Sequence, residues 1–314
     1  MIAGLHDGGM DEVCVIGGSR YFGTLLVKRL NEEGHQVTVI NRGAARPPTG
    51  VEHLVADRND ETAVKAALGD RTFDVVVDQV CYTPVQAAIA ARVFTGRTRR
   101  YVMTSTIEVY DPATAALTVP PGTPVQEELV DPSTWLVALD LPWHDDRYLE
   151  AHYAEGKRQA EAVFTRAGGF DFVSVRSAHV LGGGVKEFTG RLAHYVGRVL
   201  RGEEILVHAT ALPTVFVHWE ELADVLRWTA TGGFTGPVNA CSDGPLDVHE
   251  LIAVVAAQAG RAPVCRTVSE GAEASPFSFD RHYAMSNARA KEQGLFVSHT
   301  RDWLPGAVTD LLGN

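Results

Sequence analysis

One stretch of the chain, Val13-Cys14-Val15-Ile16-Gly17-Gly18-Ser19-Arg20-Tyr21-Phe22-Gly23, restricts its fold more than any other. A short apolar run ends in two glycines, and helical spacing begins at once. Phe22, Leu25, Leu26, Arg29 and Leu30 share one face of a helix expected from Tyr21 to Glu33, and Gly34 stops it. A strand that passes through a glycine-rich turn into a helix leaves backbone N–H groups free at the positive end of the helix dipole. Such a turn seats a phosphate. Gly17 permits the tight turn, Gly18 the close approach of the anion, and Gly23 the packing of helix on sheet. The whole loop, Gly17, Gly18, Ser19, Arg20, Tyr21, Phe22 and Gly23, is expected to hold the pyrophosphate of a nicotinamide dinucleotide.

The pattern continues around that unit. Gln36 to Ile40 and Val51 to Val55 are expected strands, Glu61 to Leu68 a helix ended by Gly69, and Asp74 to Val77 a buried strand. Pro84 to Phe94 is a helix opened by proline, and Tyr101 to Thr104 a fifth strand. Continuous apolar strands between amphipathic helices imply a parallel sheet covered on both faces. The fold class is therefore α/β: a Rossmann doubly wound parallel sheet, with a smaller C-terminal α/β substrate-binding subdomain. Asp111 to His144 breaks the pattern with frequent prolines (Pro112, Pro120, Pro121, Pro124, Pro132, Pro142) and is expected to form a lid or a binding wall. A helix from Tyr153 to Ala167 and a strand from Phe172 to Arg176 follow. Beyond them come the turn Gly182-Gly183-Gly184, helices over Phe188–Leu200, Glu220–Thr229 and Val248–Ala259, and a strand at Pro237–Ala240. Residues 1–10 are expected to be a disordered leader, 11–176 the dinucleotide-binding domain with its sheet completed near 215–240, and 177–314 mainly the substrate-binding part.

Composition removes several function classes. The formal charge of −11 gains nothing from counterion release, so no nucleic-acid partner is expected. No apolar run approaches the roughly 20 residues that span a bilayer, and the N-terminus lacks a signal peptide's basic start, so no membrane association and a cytoplasmic location are expected. Cys14, Cys81, Cys241 and Cys265 are widely spaced, and the twelve histidines form no metal-binding motif. No metal is expected.

Two further places carry chemistry. At the end of the second strand the sequence reads Ile40-Asn41-Arg42, where an acidic residue would hold the ribose 2′-hydroxyl of NAD. An arginine there pairs with a 2′-phosphate, so Arg42 with Arg20 favours NADP, with NAD as second choice. Asp57, in Val55-Ala56-Asp57-Arg58, follows the third strand and can reach the adenine amino group or cap the next helix. Tyr153 and Lys157 stand at i and i+4, on one face of a helix. A cation beside a phenol favours the phenolate, and a phenol so tuned can exchange a proton with a substrate oxygen. A hydroxyl should join them at the end of the fifth strand, where Met103-Thr104-Ser105-Thr106-Ile107-Glu108-Val109-Tyr110 offers several.

Taken together these segments resemble the short-chain dehydrogenase/reductase superfamily on its extended or atypical branch, the NAD-dependent epimerase/dehydratase family. The resemblance rests on the glycine loop, Asp57-Arg58, Ser105 to Tyr110, Tyr153-x-x-x-Lys157-x-x-x-Glu161, Val175 to Gly182, Phe216 to Ala223 and Val238-Asn239-Ala240. Arg20 is similar to the arginine in the atypical loop G-G-T-R-F-x-G. The resemblance implies Tyr153 as acid/base, Lys157 as its tuner and ribose anchor, and Thr106, with Ser105 beside it, on the substrate oxygen. It places Ser177 to His179 along the nicotinamide and Gln79, Val80 and Cys81 on the middle of the cofactor. Asn41, Asp57, Arg58 and Ser105 complete the expected cofactor set. Glu108, Trp143 and His179 join Thr106 as expected substrate contacts.

Departures from the family pattern narrow the chemistry. Thr106-Ile107-Glu108 stands where nucleotide-sugar 4,6-dehydratases carry Thr-Asp-Glu, which removes the acid that protonates a leaving hydroxyl. Pro213-Thr214-Val215-Phe216 lacks the arginine that binds a sugar-nucleotide pyrophosphate, leaving Arg191, Arg198 or Arg281 to substitute. The expectation is an NADPH-dependent reductase of a ketone, or the reverse alcohol dehydrogenase, on a small natural-product or sugar-like molecule. A partly apolar substrate suits Trp135, Leu136 and Trp143. The alternatives are a nucleotide-sugar epimerase with tightly bound NAD, and a non-enzymatic dinucleotide- or RNA-binding relative. A monomer is expected, or a homodimer paired through helices at Val85–Arg97 and Leu149–Arg166.

Overall fold

The computed structural model describes residues 10–119 and 122–313. The expected leader up to residue 9, and Pro120 and Pro121 of the long loop, lie outside the described residues. In chain order the elements are β1 (Glu12–Ile16), α1 (Tyr21–Glu32), β2 (Gln36–Asn41), β3 (Glu52–Val55), α2 (Glu61–Leu68), β4 (Phe73–Asp78), α3 (Pro84–Phe94) and β5 (Thr98–Thr106). There follow α4 (Asp146–Ala151), α5 (Tyr153–Ala167), β6 (Asp171–Ser177), β7 (His179–Leu181), α6 (Arg191–Arg201), β8 (Glu204–His208) and β9 (Phe216–His218). The last are α7 (Trp219–Thr231), β10 (Gly236–Ala240), α8 (Val248–Ala259), β11 (Val264–Val268), α9 (Ala288–Glu292) and α10 (Thr300–Leu312).

Seven strands form one sheet in the order β10-β6-β5-β4-β1-β2-β3, and every pairing in it is parallel. The order reverses at β1, so β1 and β4 flank a crevice at the carboxyl edge of the sheet, where ligands bind in open α/β folds. Alternate residues of each strand enter separate cores. Val13, Val15, Val75, Val77, Val102 and Val175 pack with Leu26, Leu30 and Leu222 of α1 and α7. Cys14, Ile16, Val76, Tyr101 and Met103 pack with Leu68, Ala87, Phe94 and Phe164 of α2, α3 and α5. Burial on both faces explains why these strands read as unbroken apolar runs.

The strands run longer than periodicity suggests, because polar residues at their ends are buried too. Thr104, Ser105 and Thr106 extend β5, and Asp78 ends β4 fully buried. Phe188 to Gly190 form a turn instead of the start of a helix, and α6 begins only at Arg191. A third core unites α6, α8, α10, β8 and β9 around Tyr195, Phe216, Leu251 and Leu304. Helix α10 has no counterpart among the expected elements, since Pro305 interrupts its pattern. No helix among the described residues is long and apolar enough to cross a membrane.

The proline-rich stretch after β5 is pinned by two buried arginines. Arg158 of α5 donates to the carbonyls of Val109 (2.7 Å), Glu108 (3.3 Å) and Asp111 (3.3 Å), and to Thr114 Oγ1 (2.6 Å). Arg176 of β6 donates to the carbonyls of Glu127 and Val130, each at 2.8 Å, and closes a fully buried ion pair with Glu161 (2.6 Å). A stretch without periodicity thus acquires a fixed path by satisfying guanidinium donors that burial would otherwise orphan.

Candidate active site

A cleft of about 530 Å³ opens at the crevice and is lined by Gly17 to Phe22, Asn41, Arg42, Ala56 to Asn59, Gln79, Val80 and Tyr82. Asp146 and Phe188 form part of its rim. Gly17 and Gly18 both take positive φ, +100° and +69°. A Cβ on Gly18 would lie 2.9 Å from Val15 and Val27, so this glycine also serves the packing of α1 on β1. A Cβ on Gly23 would meet Gln79 Oε1 at 2.1 Å. Tyr21 has φ +51° without being glycine. Its strain is held by a hydrogen bond from its hydroxyl to the Gly182 carbonyl (2.8 Å) and by face-to-face stacking on Trp219. The phosphate loop is thereby tied to the turn after β7.

A dinucleotide fits these residues. The glycines of the loop carry no side chains of their own, α1 carries no acidic residue in its first turn, and the buried Gln79 Nε2 lacks a partner. Asn41 does not face an open ribose position. Its amide donates to Ser19 Oγ (2.6 Å) and the Ala45 carbonyl (3.1 Å), joining the loop after β2 to the phosphate loop. Arg20 and Arg42 are exposed, and their guanidinium groups bond no described residue. Asp57 accepts from the Asn59 backbone and amide (2.9 and 3.0 Å).

Other expected cofactor residues are committed elsewhere. Arg58 pairs with the buried Asp78 (2.8 Å), which also accepts from the Tyr101 hydroxyl (2.7 Å). Cys81 turns into the core with its thiol on the Thr83 carbonyl, and burial pushes its pKa up to about 11. Tyr82, absent from the sequence reading, takes the place in the cleft. Ser105 faces the buried Glu161 instead of the cleft. For Ser105 the signal was available in strand alternation, since Thr104 and Thr106 share the opposite face of β5.

The end of β5 and the start of α5 bring the chemistry together. Tyr153 is half-buried, and the Thr106 side chain stands beside its phenol, with Thr106 Oγ1 accepting from the Glu108 backbone (3.2 Å). Lys157 is buried, donates to the Thr104 carbonyl (2.8 Å), and lies 4.6 Å from the Tyr82 ring centre and 5.8 Å from that of Tyr153. Burial brings the Lys157 ammonium down to about 8, against the opposing pull of Cys81 and Asp78. The Tyr153 phenol moves up, not down as the lysine spacing implied. Burial is the main cause, with Tyr82 and Glu108 adding to it. Tyr153 therefore holds its proton in this state, and the neighbouring cation does not outweigh desolvation.

Around the phenol stand groups from distant segments. Glu108 accepts from the Tyr283 hydroxyl (2.5 Å), and burial raises its pKa even against that bond. Asp111 receives both arms of Arg281 (3.0 and 2.9 Å). His179 is buried among Phe216, Phe277, Phe279 and Tyr283. Arg191 approaches its Nδ1 (3.3 Å), and burial together with the charges of Arg191 and Arg281 holds the ring well below its usual pKa. Ser177 donates to the Ser105 carbonyl (3.2 Å). Trp143 is a packing residue: its indole donates to the Ala138 carbonyl (2.8 Å), and its ring covers Gly156 of α5. Arg198 lies apart, on the Glu204 carbonyl (2.6 Å).

The sequence profile of the NAD dependent epimerase/dehydratase family matches residues 13–239. The chain belongs to that family. It is an enzyme of this NAD-dependent kind, with the family's Rossmann fold. It is 30% identical over 153 residues to 2′-dehydrokanamycin reductase of Streptomyces kanamyceticus, covering 48% of this chain and 41% of that protein. It is 35% identical over 82 residues to the chloroplast stem-loop binding protein of 41 kDa b of Arabidopsis thaliana, covering 21% of this chain and 22% of that one. The matches thus span less than half the length of either curated relative. Among solved structures, a UDP-glucose 4-epimerase of Thermus thermophilus in complex with NAD superposes with a TM-score of 0.69 at 20% identity, over 96% of this chain and 99% of the other.

Proposed function

We propose that the protein is an NADPH-dependent reductase of a ketone, or the reverse alcohol dehydrogenase, acting on a small molecule. The observation that carries this is the contact of Tyr153 with Thr106 above the buried Lys157, beside a cleft whose far end presents the unpaired Arg20 and Arg42. The glycine loop and Gln79 would seat the pyrophosphate, Asp57 the adenine, and Arg42 with Arg20 the 2′-phosphate. When bound, the nicotinamide supplies the hydride for reduction. The chain's own part is proton handling. A carbonyl oxygen entering between Tyr153 and Thr106 can accept a hydrogen bond from each hydroxyl. Tyr153, protonated in the free protein, is the proton donor to that oxygen. Lys157 stabilises the phenolate left behind, a stabilisation realised only as charge develops. Residues from 177 onward, with Glu108 and His179, would form the substrate wall.

The reading is tested with purified protein and an aryl-ketone panel, following loss of NADPH absorbance. Turnover with NADPH and weak turnover with NADH are expected, and Tyr153→Phe should lower kcat by about 10²–10⁴. Oxidised NAD copurifying with the protein, and no consumption of NADPH, would favour instead an epimerase, the activity named for the superposed structure.

A further inference from the structure

Arg191, the first residue of α6, differs from the other arginines near Tyr153. Arg158 and Arg176 are saturated by backbone carbonyls and carboxylates, and Arg281 is locked in a fork with Asp111. Arg191 is half-buried, lies 5.2 Å from the Phe277 ring centre, and donates only to Thr189 Oγ1 (3.2 Å) and His179 Nδ1 (3.3 Å). It forms no ion pair with a described residue. It is linked to the reacting end through His179, whose ring packs on Tyr283, the residue that bonds Glu108 beside Thr106.

A second, independent feature lies next to it. A guanidinium only donates, so His179 must offer Nδ1 as acceptor and carry its proton on Nε2. That Nε2 is buried and has no hydrogen-bond partner. The residue itself is only 4% exposed. A buried N–H without an acceptor is destabilising unless something supplies one. Phe277, packed on both His179 and Arg191, holds a positive φ of 67° outside glycine, so the backbone is strained at the same place.

The carboxylates nearby are all occupied. Glu108 accepts from Tyr283, Asp111 from Arg281, and Glu187 from Thr189 and from the backbone N–H groups of Arg191 and Leu192 at the start of α6. The site therefore offers two donors without acceptors of their own, one of them cationic, beside carboxylates whose oxygens already accept hydrogen bonds.

We infer that the substrate carries a single anionic, acceptor-rich group, a carboxylate, that binds Arg191 and the His179 N–H while its carbonyl meets Tyr153 and Thr106. One unpaired guanidinium suits a monoanion. A diphosphate would need a second cation, and Arg281 and Arg198 are both engaged. A cationic substrate would have to displace the hydrogen bonds that Glu108, Asp111 and Glu187 already accept, whereas an anion meets donors that have no acceptor. The inference rests on the reductase reading for the position of the carbonyl, but the charge preference is measured separately.

The test uses three aryl ketones that differ only in charge: 4-acetylbenzoate, 4-acetylbenzamide and 4-acetylbenzylamine. Affinity for the full-length protein saturated with NADP is measured by calorimetry, and turnover with NADPH is followed in parallel. The carboxylate is expected to bind at least about tenfold tighter than the amide, with the amine weakest. Arg191→Gln should erase that ranking by weakening the carboxylate alone, and Arg191→Lys should keep part of it. Thermal midpoint and NADP affinity report whether the variants are folded. A preserved charge ranking without turnover would leave the inference standing and sink the reductase reading. Equal binding of the three ketones, no binding of any, a preference for the amine, or a loss in Arg191→Gln confined to NADP would each overturn the inference.

Discussion

At the dinucleotide end of the cleft, Arg20 and Arg42 extend exposed side chains that bond no described residue, whereas at the Tyr153 end several charges are buried and bonded in pairs. Arg176–Glu161 and Arg281–Asp111 are such closed pairs. The first end is built from backbone: a glycine cradle and a helix start, all within one short stretch of chain. The second end is assembled from β5, α5, β6–β7, α6 and residues near 277–283. Its side chains meet across as many as 175 positions, as Glu108 and Tyr283 do. An anion of known shape can be met by exposed arginines on a rigid cradle. A variable substrate requires a wall whose polar groups are held in place by other polar groups.

The contrast breaks most severely at Arg176. Glu161 is fully buried, and burial alone would raise its pKa, yet Arg176 holds it below the usual carboxylate range. Arg176→Met leaves that carboxylate unpaired and strips donors from the Glu127 and Val130 carbonyls. Unfolding in urea should show a loss of about 3–5 kcal/mol at pH 7. Hydrogen exchange should also show faster opening at 111–144 than at β1 and β2. A loss under about 1 kcal/mol, or uniform protection, would mean that the loop is held by something other than this arginine.

Lys157 sharpens the comparison, because it is a buried cation at the reacting end with no carboxylate pair. Its folded pKa, about 8, lies below the ordinary value of 10.5. Between those values the unfolded chain binds the proton and the folded protein does not, so wild-type stability gains from this group as pH rises through that window. Below about 8 both states are protonated, and the full cost of burying the charge is present. That cost is at most about 3 kcal/mol. Lys157→Met should therefore melt higher than wild type at pH 7, with the difference fading toward pH 10.5, while turnover is lost. A variant that melts lower at pH 7 would show that the bond to the Thr104 carbonyl and the Tyr82 ring contact outweigh desolvation.

These differences also explain what the sequence could and could not disclose. The parallel sheet, the glycine loop and the pairing of Tyr153 with Lys157 are local patterns, and a period or a fixed spacing reveals them. The end of the fifth strand offered several hydroxyls, and the family resemblance singled out Thr106 among them. Where the structure places expected residues away from the cleft, a side chain's orientation decided it. Cys81 and Ser105 turn into the interior, and Trp143 finds its indole partner in Ala138, while Arg58 lines the cleft and also pairs with Asp78. The phenol's raised pKa was hidden for a similar reason: spacing shows that a lysine is near, but not how much water burial removes. Tyr82 and Arg191 left no periodic trace, and their places emerge only when distant elements pack.

The smallest expected effect lies at the exposed end. Arg42 follows β2, lines the cleft and has no described partner, while Asn41 beside it is consumed by Ser19 and Ala45. A 2′-phosphate there would gain a charge-assisted pair in solvent, of modest strength and sensitive to salt. Arg42→Ala should weaken NADPH binding about tenfold at low ionic strength and less at high salt, leaving NADH binding and thermal stability unchanged. Because the side chain is exposed, no packing loss confuses the result. Equal loss for both dinucleotides would make Arg42 a general phosphate contact. No loss for either would make it a solvated loop cation and would remove the structural basis for preferring NADP. A selective loss, erased by salt, would show that the open end of the cleft recognises its ligand by charge alone, whereas at the Tyr153 end the partners are fixed in advance by burial.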